Sequence, residues 1–288
     1  MILLDGKKLS EKIKVQLLEQ SRQLKNVNGR SPHLAAVLVG ENPASVAYVN
    51  NKIRSCRQCE IGSALIKLED TISEKELLEE IDRLNADENT DGILVQLPLP
   101  PHINPDVIAS AIHPEKDVDG FHPLNAGKLS FGLPCFEPAT PKGIMLMLEH
   151  YNISLSGKHA VVIGRSNIVG RPMSIMLSAA SANATVTLCH SRTSNLEEFT
   201  RQADILIAAL GKPGFVKAGM IKRGTVIIDV GITRIEDPTR KNGYRLTGDV
   251  DFDNVAPLCS AITPVPGGVG PMTIIGLLSN TLRAAEVK

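Results

Sequence analysis

The sequence predicts an α/β protein of two domains, and three observations lead to this fold class. The chain has 288 residues, which suits two domains of ordinary size better than one large core. Segments with the apolar spacing of helices alternate with short apolar strands, which is typical of parallel sheets covered by helices. Only 3% of the residues are aromatic and 43% are hydrophobic, so Leu, Ile, Val and Ala must fill the core.

The first half of the chain predicts helices and strands in alternation. Its first helix carries an apolar stripe that ends near Gly29 and consists of Leu9, Ile13, Leu17 and Leu24. The elements predicted next are a strand over 33–39, a helix over 44–60, a strand over 63–68, a helix opened by a capping box at 73–76, and a strand over 92–97. Residues 113–138 are rich in proline and predict a loop.

The second half predicts a more regular series. It opens with a helix that has Thr140 as its N-cap and Pro141 in its first turn. The elements predicted after it are strands over 160–163, 185–189, 205–210 and 226–230, and helices over 169–180 and 272–285. Proline and glycine predict a hinge over 263–271, before the last helix.

The composition excludes several classes of protein. The 31 basic residues equal the 31 acidic ones, so the chain lacks the overall charge of a nucleic-acid binder. The apolar residues before Asp5 are too few for the core of a signal peptide, and no apolar run reaches the length of about 18 residues that spans a bilayer. We therefore expect a cytoplasmic protein that binds neither nucleic acid nor membrane.

Cys56 and Cys59 have the spacing of a redox motif or a zinc knuckle. The sequence has no second pair of this spacing and no nearby His pair to complete a zinc site, and both cysteines fall in a predicted helix. These facts favour ordinary helix residues that stay reduced in the cytosol, and the sequence predicts no metal site.

The segment 160–172 predicts a strand, a tight turn and the start of a helix. The turn reads G-x-S-x-x-V-G from Gly164 to Gly170, which is a dinucleotide fingerprint with Ser166 in place of the second glycine. Free backbone N–H groups at the start of the helix are expected to face the phosphates. An ordinary turn in a ligand-free α/β domain is the alternative, but the strands in register around this segment favour binding.

The end of the next strand indicates which dinucleotide binds. An enzyme that uses NAD has an Asp or Glu about 20 residues beyond the turn, where it bonds the ribose 2′-hydroxyl. Here the residues after Cys189 are His190, Ser191, Arg192 and Thr193, and none of them is acidic. Hydroxyl and guanidinium groups suit a 2′-phosphate, so the sequence predicts NADP.

Three stretches of the first half carry candidate catalytic side chains. Tyr48 and Lys52 are one helical turn apart, where a solvated surface pair is the ordinary interpretation. Gln96 ends an apolar strand, at the edge where α/β sheets bind ligands. Asp117 and Asp119 lie in the proline-bounded loop, a more common place for functional than for structural carboxylates.

These motifs together resemble the bifunctional methylenetetrahydrofolate dehydrogenase/methenyltetrahydrofolate cyclohydrolase family. The similar runs span essentially the whole chain and are 48–52, 91–100, 116–123, 164–172 and 263–273. The resemblance implies two α/β domains with a cleft between them, and a homodimer. It implies a folate-binding catalytic domain over 1–139 with the final helix, 272–288, and a Rossmann-type NADP-binding domain over 140–271.

The resemblance also implies a role for each matching residue. Lys52 matches the catalytic lysine, Tyr48 the tyrosine at the folate ring, Gln96 the glutamine bonded to the lysine, and Asp119 the carboxylate that holds the pterin. The folate-contacting loop is matched by Pro266 and Gly267. The NADP contacts are matched by Gly164, Arg165, Ser166, Ser191 and Ile232, with Thr140 and Thr273 near the nicotinamide.

The expected reaction has two steps, and NADP serves the first. Oxidation of 5,10-methylenetetrahydrofolate gives the methenyl cation, and water then opens it to 10-formyltetrahydrofolate. Lysine is a poor base near neutrality unless its surroundings favour the neutral amine, and a desolvated Lys52 bonded to Gln96 fits that need. The alternatives are a monofunctional dehydrogenase of the same family, an NADP dehydrogenase acting on another substrate such as a hydroxy acid, and a catalytically silent nucleotide sensor.

Overall fold

The computed structural model describes residues 1–240 and 243–286, which form two compact units. The N-terminal unit contains Glu11–Ala139 and the chain from Ile274 onward, and the C-terminal unit contains Met1–Ser10 and Thr140–Thr273. The α/β fold class is confirmed, because both units are built on parallel sheets with helices. Residues 287 and 288, the end of the predicted folate-binding domain, lie outside the described residues.

The helices and strands of the described residues are numbered in chain order. The helices are α1 (Gly6–Asn28), α2 (Pro43–Gln58), α3 (Glu74–Ala86), α4 (Pro105–Ala111), α5 (Pro123–Ser130), α6 (Ala139–His150), α7 (Gly170–Ser178), α8 (Leu196–Gln202), α9 (Phe252–Val255) and α10 (Val269–Glu286). The strands are β1 (Ile2–Leu3), β2 (His33–Val39), β3 (Gly62–Leu68), β4 (Gly92–Val95), β5 (His159–Ile163), β6 (Thr185–Cys189), β7 (Ile205–Ala208), β8 (Val226–Asp229), β9 (Thr233–Glu236), β10 (Tyr244–Thr247) and β11 (Ala261–Ile262).

The sheet of the N-terminal unit has the order β3-β2-β4 and is parallel throughout. Its central strand, β2, is almost entirely buried, which is why its sequence is apolar without alternation. Leu77, Ile81 and Leu84 project from one stripe of α3 into the same buried cluster as the strands. Because β2 and β4 run in parallel, the residues that follow them lie at the same edge of the sheet.

The sheet of the C-terminal unit has the order β1-β11-β8-β7-β5-β6, with every pair parallel. The chain leaves β5 to form β6 on one side and then returns to form β7 on the other side. This reversal makes the carboxyl ends of β5 and β7 the point at which an open α/β sheet binds its ligand. A separate antiparallel pair, β9 and β10, follows β8.

The first ten residues lie in the C-terminal unit, whereas the sequence groups them with the first half. Backbone pairing is the reason, since β1 adds to β11 and the Leu4 N–H donates to the Ile262 carbonyl at 2.8 Å. The unit boundary also falls inside α10, between Thr273 and Ile274. No helix among the described residues is long and apolar enough to cross a membrane.

Several predicted bounds are wrong. Thr140 is not an N-cap, because α6 already begins at Ala139, and the last helix starts at Val269, inside the predicted hinge. Strand β4 ends at Val95 rather than at 97. The proline-rich loop contains α5, whose Pro123 occupies the first turn, where the missing N–H of proline has no cost.

Candidate active site

Helix α2 carries Tyr48 and Lys52 at neighbouring positions on one face. The helix begins sharply because the Asn42 side chain accepts the N–H groups of Ala44 and Ser45, at 3.0 and 3.2 Å, and Pro43 follows it. Tyr48 is half-buried, and Lys52 is buried with 7% of its surface exposed. The pair is therefore not the solvated surface pair that the spacing alone allows.

Gln96 follows β4 directly and contacts the lysine. The Lys52 Nζ donates to Gln96 Oε1 at 3.0 Å. The amide is oriented by its other end, since Gln96 Nε2 donates to the Leu97 carbonyl at 2.6 Å. This second bond presents the oxygen, and not the nitrogen, to the lysine.

Burial and the charge of a neighbouring group act in opposite directions on the pKa values of Lys52 and Asp119. Burial lowers the pKa of Lys52, while the nearby Asp119 raises it. Burial raises the pKa of Asp119 to about 6, while Lys52 lowers it. Burial thus disfavours the charged form of each group, while each group's charge favours the charged form of the other; such perturbed pairs are typical of sites that transfer protons. We call Lys52, Gln96 and Asp119 the lysine cluster.

Asp119 lies in a loop that its neighbours hold firmly. Asp117 accepts the N–H groups of Phe121 and His122, at 3.1 and 2.8 Å, and the Asn125 amide at 2.8 Å. The Lys116 Nζ donates to three carbonyls at the end of α3, those of residues 84, 85 and 87. Lys116 and Asp117 thus fix the backbone on which Asp119 is carried, which is a structural role for both.

Asn280 of α10 also holds this loop, and it belongs to none of the motifs found in the sequence. Its Nδ2 donates to the carbonyls of Val118 and Glu137, both at 2.8 Å, and the residue is fully buried. The signal available in the sequence is one amide in a largely apolar helix. Such a group must find partners when it is buried, but the sequence does not reveal which ones.

Cys56 lies in α2 and Cys59 caps its end, and both thiols are free and buried. Burial raises the pKa of Cys56 to about 12 and that of Cys59 to about 11. A thiol with so high a pKa is a poor nucleophile and a poor metal ligand. The geometry agrees with the interpretation of these cysteines as ordinary helix residues.

The nucleotide turn, residues 164–170, joins β5 to α7 in the C-terminal unit. Gly164 has φ of +116°, and a Cβ there would overlap the Ala209 carbonyl oxygen. A Cβ on Gly170 would likewise overlap the Gly164 carbonyl oxygen. Both positions therefore require glycine, and the turn brings bare backbone to the carboxyl end of β5.

The first N–H groups of α7 are partly occupied inside the turn. Ser166 Oγ accepts the N–H groups of Val169 and Gly170, at 3.1 and 3.5 Å, and the Ser166 carbonyl accepts that of Arg171 at 3.1 Å. The expectation that these helix N–H groups are free is therefore wrong. Arg165, Ser166 and Ser191 have exposed side chains, the first two in the turn and Ser191 just after β6.

The other predicted contact residues lie in loops and helix starts of the same unit. Ile232 follows β8, and 43% of its surface is exposed. The hydroxyl groups of Thr140 and Thr273 are hydrogen-bonded to each other at 3.0 Å. Pro266 and Gly267 precede α10 and lie in the C-terminal unit, whereas the lysine cluster and Tyr48 lie in the N-terminal unit.

Two family models match the chain. Residues 4–119 match the catalytic domain of tetrahydrofolate dehydrogenase/cyclohydrolase. Residues 138–288 match the NAD(P)-binding domain of the same family.

Known proteins match over the whole length. The bifunctional protein FolD of Cytophaga hutchinsonii is 56% identical, with all of both chains covered. The crystal structure of the bifunctional FolD methylenetetrahydrofolate dehydrogenase/cyclohydrolase of Campylobacter jejuni has a TM-score of 0.94 at 50% identity, covering 100% of this chain and 99% of that one. The FolD of Trypanosoma brucei, solved with NADP and an inhibitor, has a TM-score of 0.95 at 37% identity, covering 100% and 98%. With both family models matched in order and relatives covered from end to end, the chain belongs to the tetrahydrofolate dehydrogenase/cyclohydrolase family.

Proposed function

We propose that this protein oxidises 5,10-methylenetetrahydrofolate with NADP and hydrolyses the methenyl product to 10-formyltetrahydrofolate. The observation that carries the hydrolytic half is the buried Lys52, bonded to Gln96 at 3.0 Å and coupled to Asp119. A family member that performed the oxidation alone would not require a lysine held in this way. The family of the chain supports a tetrahydrofolate substrate.

The cofactor half is supported by the shape of the nucleotide turn. A Cβ on Gly164 or Gly170 would overlap a backbone carbonyl oxygen, so these glycines make the tight turn and the close helix packing of a dinucleotide fingerprint. Arg165, Ser166 and Ser191 would hold the 2′-phosphate end, and Ile232, Thr140 and Thr273 would lie toward the nicotinamide. NADP, when bound, supplies the acceptor for the hydride that leaves the methylene carbon.

The residues of the N-terminal unit orient the folate and move a proton. Tyr48 would line the folate ring and the Asp119 carboxyl would hold the pterin, and Pro266 and Gly267 would be further folate contacts. Hydrolysis adds water to the methenyl carbon, opens the ring and releases one proton. Lys52 Nζ, when neutral, accepts a proton from the attacking water. Gln96 Oε1 orients the amine by accepting one of its hydrogens.

The two steps are tested separately on the purified protein. Supplied with 5,10-methenyltetrahydrofolate alone, the protein should accelerate its decay, because this step uses no NADP. Supplied with methylenetetrahydrofolate and NADP, it should form NADPH. NADPH formation without accelerated methenyl decay would indicate the monofunctional dehydrogenase, and no NADPH would indicate another substrate or a nucleotide sensor.

We further propose that the protein is a cytoplasmic homodimer with no nucleic-acid or membrane partner, as the family resemblance implies. An observation that supports self-association is β6, which is an edge strand of the six-stranded sheet and carries the exposed Leu188. An unpaired strand edge is a surface on which a second chain can pair. Light scattering after gel filtration should give twice the mass of the chain, and a monomer would contradict the dimer.

A further inference from the structure

Two buried carboxylates lie in the C-terminal unit, close to the carboxyl ends of β7 and β8. Asp229 is the last residue of β8 and is 4% exposed, and Asp249 follows β10 and is fully buried. Neither residue belongs to the motifs that suggested NADP binding. Buried carboxylates are costly to keep unless several donors satisfy their oxygens, so their partners indicate what they hold in place.

The Asp249 side chain binds the backbone of one short loop, residues 209–212. Its Oδ2 accepts the N–H groups of Leu210 and Gly211, at 2.6 and 3.0 Å, and its Oδ1 accepts that of Lys212 at 2.7 Å. Three successive N–H groups therefore converge on one carboxylate. The loop takes an unusual backbone to allow this, since Gly211 has φ of +67°.

Asp229 in turn holds Asp249. The Oδ1 of Asp229 accepts the N–H groups of Gly231 and Asp249, at 3.0 and 2.9 Å, and its Oδ2 accepts that of Val250 at 2.9 Å. The carboxylates reach these groups because Gly231 and Gly248 have no side chains. A Cβ on Gly231 would overlap Asp249, and one on Gly248 would overlap Asp229.

The loop held by Asp249 lies at the ligand-binding edge of the sheet. It begins at Ala209, directly after β7, and the Ala209 carbonyl is the atom against which Gly164 of the nucleotide turn packs. Strands β5 and β7 are neighbours at the reversal of strand order, where open α/β sheets bind dinucleotides. Gly231, bonded to Asp229, immediately precedes Ile232, one of the predicted NADP contacts.

We propose that Asp249, fixed by Asp229, is a positioning residue that holds residues 209–212 in the conformation that receives NADP. This inference rests on the proposed function, because it assigns the loop to the same dinucleotide site. The physical basis is preorganisation: a loop already fixed by three charge-assisted hydrogen bonds loses little further freedom when the ligand binds. Asp249 itself need not touch NADP.

The test is direct NADP binding by Asp249→Asn, measured by fluorescence titration at a temperature where circular dichroism shows the variant folded. The asparagine amide has the same shape as the carboxylate but only one acceptor oxygen. Its NH₂ group would face at least one of the three loop N–H groups, which would then lose its acceptor. The Kd for NADP should rise at least about tenfold. The matched control is Asp204→Asn. Asp204 immediately precedes β7, at the end of that strand opposite the loop, and its carboxylate accepts the His159 N–H at 2.9 Å. The Kd of this control variant should remain that of the wild type.

A pair of less disruptive glycine-to-alanine variants tests the same inference if Asp249→Asn does not fold. Gly211 and Gly224 both have positive φ, +67° and +86°, and a Cβ added at either position would meet no atom within 4 Å, so alanine strains only the backbone at each. Gly211→Ala should weaken NADP binding several-fold relative to Gly224→Ala, which lies in the turn before β8. A folded Asp249→Asn with the wild-type Kd, or equal Kd values for the two alanine variants, would overturn the inference. Failure of the wild type to bind NADP would overturn the proposed function and the inference with it.

Discussion

Replacement of Lys52 by methionine is the most informative single change in this protein. Methionine has nearly the length of lysine but cannot accept or donate a proton. If Lys52 Nζ is the general base, its loss should lower the cyclohydrolase kcat by about 10²–10⁴-fold, the usual contribution of such a group. This corresponds to an increase of about 2.7–5.4 kcal/mol in the activation free energy.

The variant should still fold, because two effects on stability oppose each other. Gln96 Oε1 loses its donor at 3.0 Å, and an unsatisfied buried acceptor costs about 1–3 kcal/mol. The substitution also removes a group whose burial disfavours its charge, as the lowered pKa of Lys52 shows. We therefore expect a small net change in the midpoint of thermal unfolding.

The assay follows the decay of 5,10-methenyltetrahydrofolate, with NADP affinity measured in parallel on the same sample. The matched control is Lys75→Met on α3, where the side chain is 85% exposed, and it should retain full turnover. Full cyclohydrolase turnover by Lys52→Met would refute the assignment of the base. Loss of NADP affinity together with turnover would show that the substitution acts through the fold.

Three further predictions follow from the geometry. Gly164→Ala should lower the free energy of unfolding by about 1–3 kcal/mol and weaken NADP binding, because its Cβ meets the Ala209 carbonyl; urea unfolding and NADP titration measure both, and an unchanged variant would contradict the packing. Asp119→Asn should move the rising limb of the cyclohydrolase pH profile to lower pH, because Asp119 raises the pKa of Lys52 and its loss frees the amine earlier; a shift to higher pH would contradict the coupling. Asn280→Ala should lower the free energy of unfolding by about 2–4 kcal/mol by leaving the Val118 and Glu137 carbonyls without their donor, and wild-type stability in urea would show that these bonds contribute nothing.

The fold class and the family could be predicted from the sequence because both leave strong local patterns. Buried parallel strands such as β2 are continuously apolar, and the capping box at Ser73 and Glu76 is present as predicted. The bounds around prolines were less predictable. Proline in the first turn of a helix and proline in a loop look alike in sequence, which is why the sequence does not predict α5 and why α10 begins earlier than predicted.

The residues of the lysine cluster could be named from their motifs, but their arrangement could not. The spacing of Tyr48 and Lys52 indicates a shared helix face and leaves open whether that face is buried. The roles of these residues and of the NADP contacts remain predictions. Asn280, Asp229 and Asp249 could not be found in this way, because each acts through backbone groups of residues that are distant along the chain.

We propose that one chain catalyses both the oxidation and the hydrolysis. The most direct measurement is the stoichiometry of products when the wild-type protein acts on 5,10-methylenetetrahydrofolate and NADP, with a protein-free sample for the uncatalysed hydrolysis. We expect one 10-formyltetrahydrofolate for each NADPH, formed at a rate well above the uncatalysed one. NADPH accompanied by an equal amount of accumulated methenyltetrahydrofolate, decaying only at the protein-free rate, would contradict it.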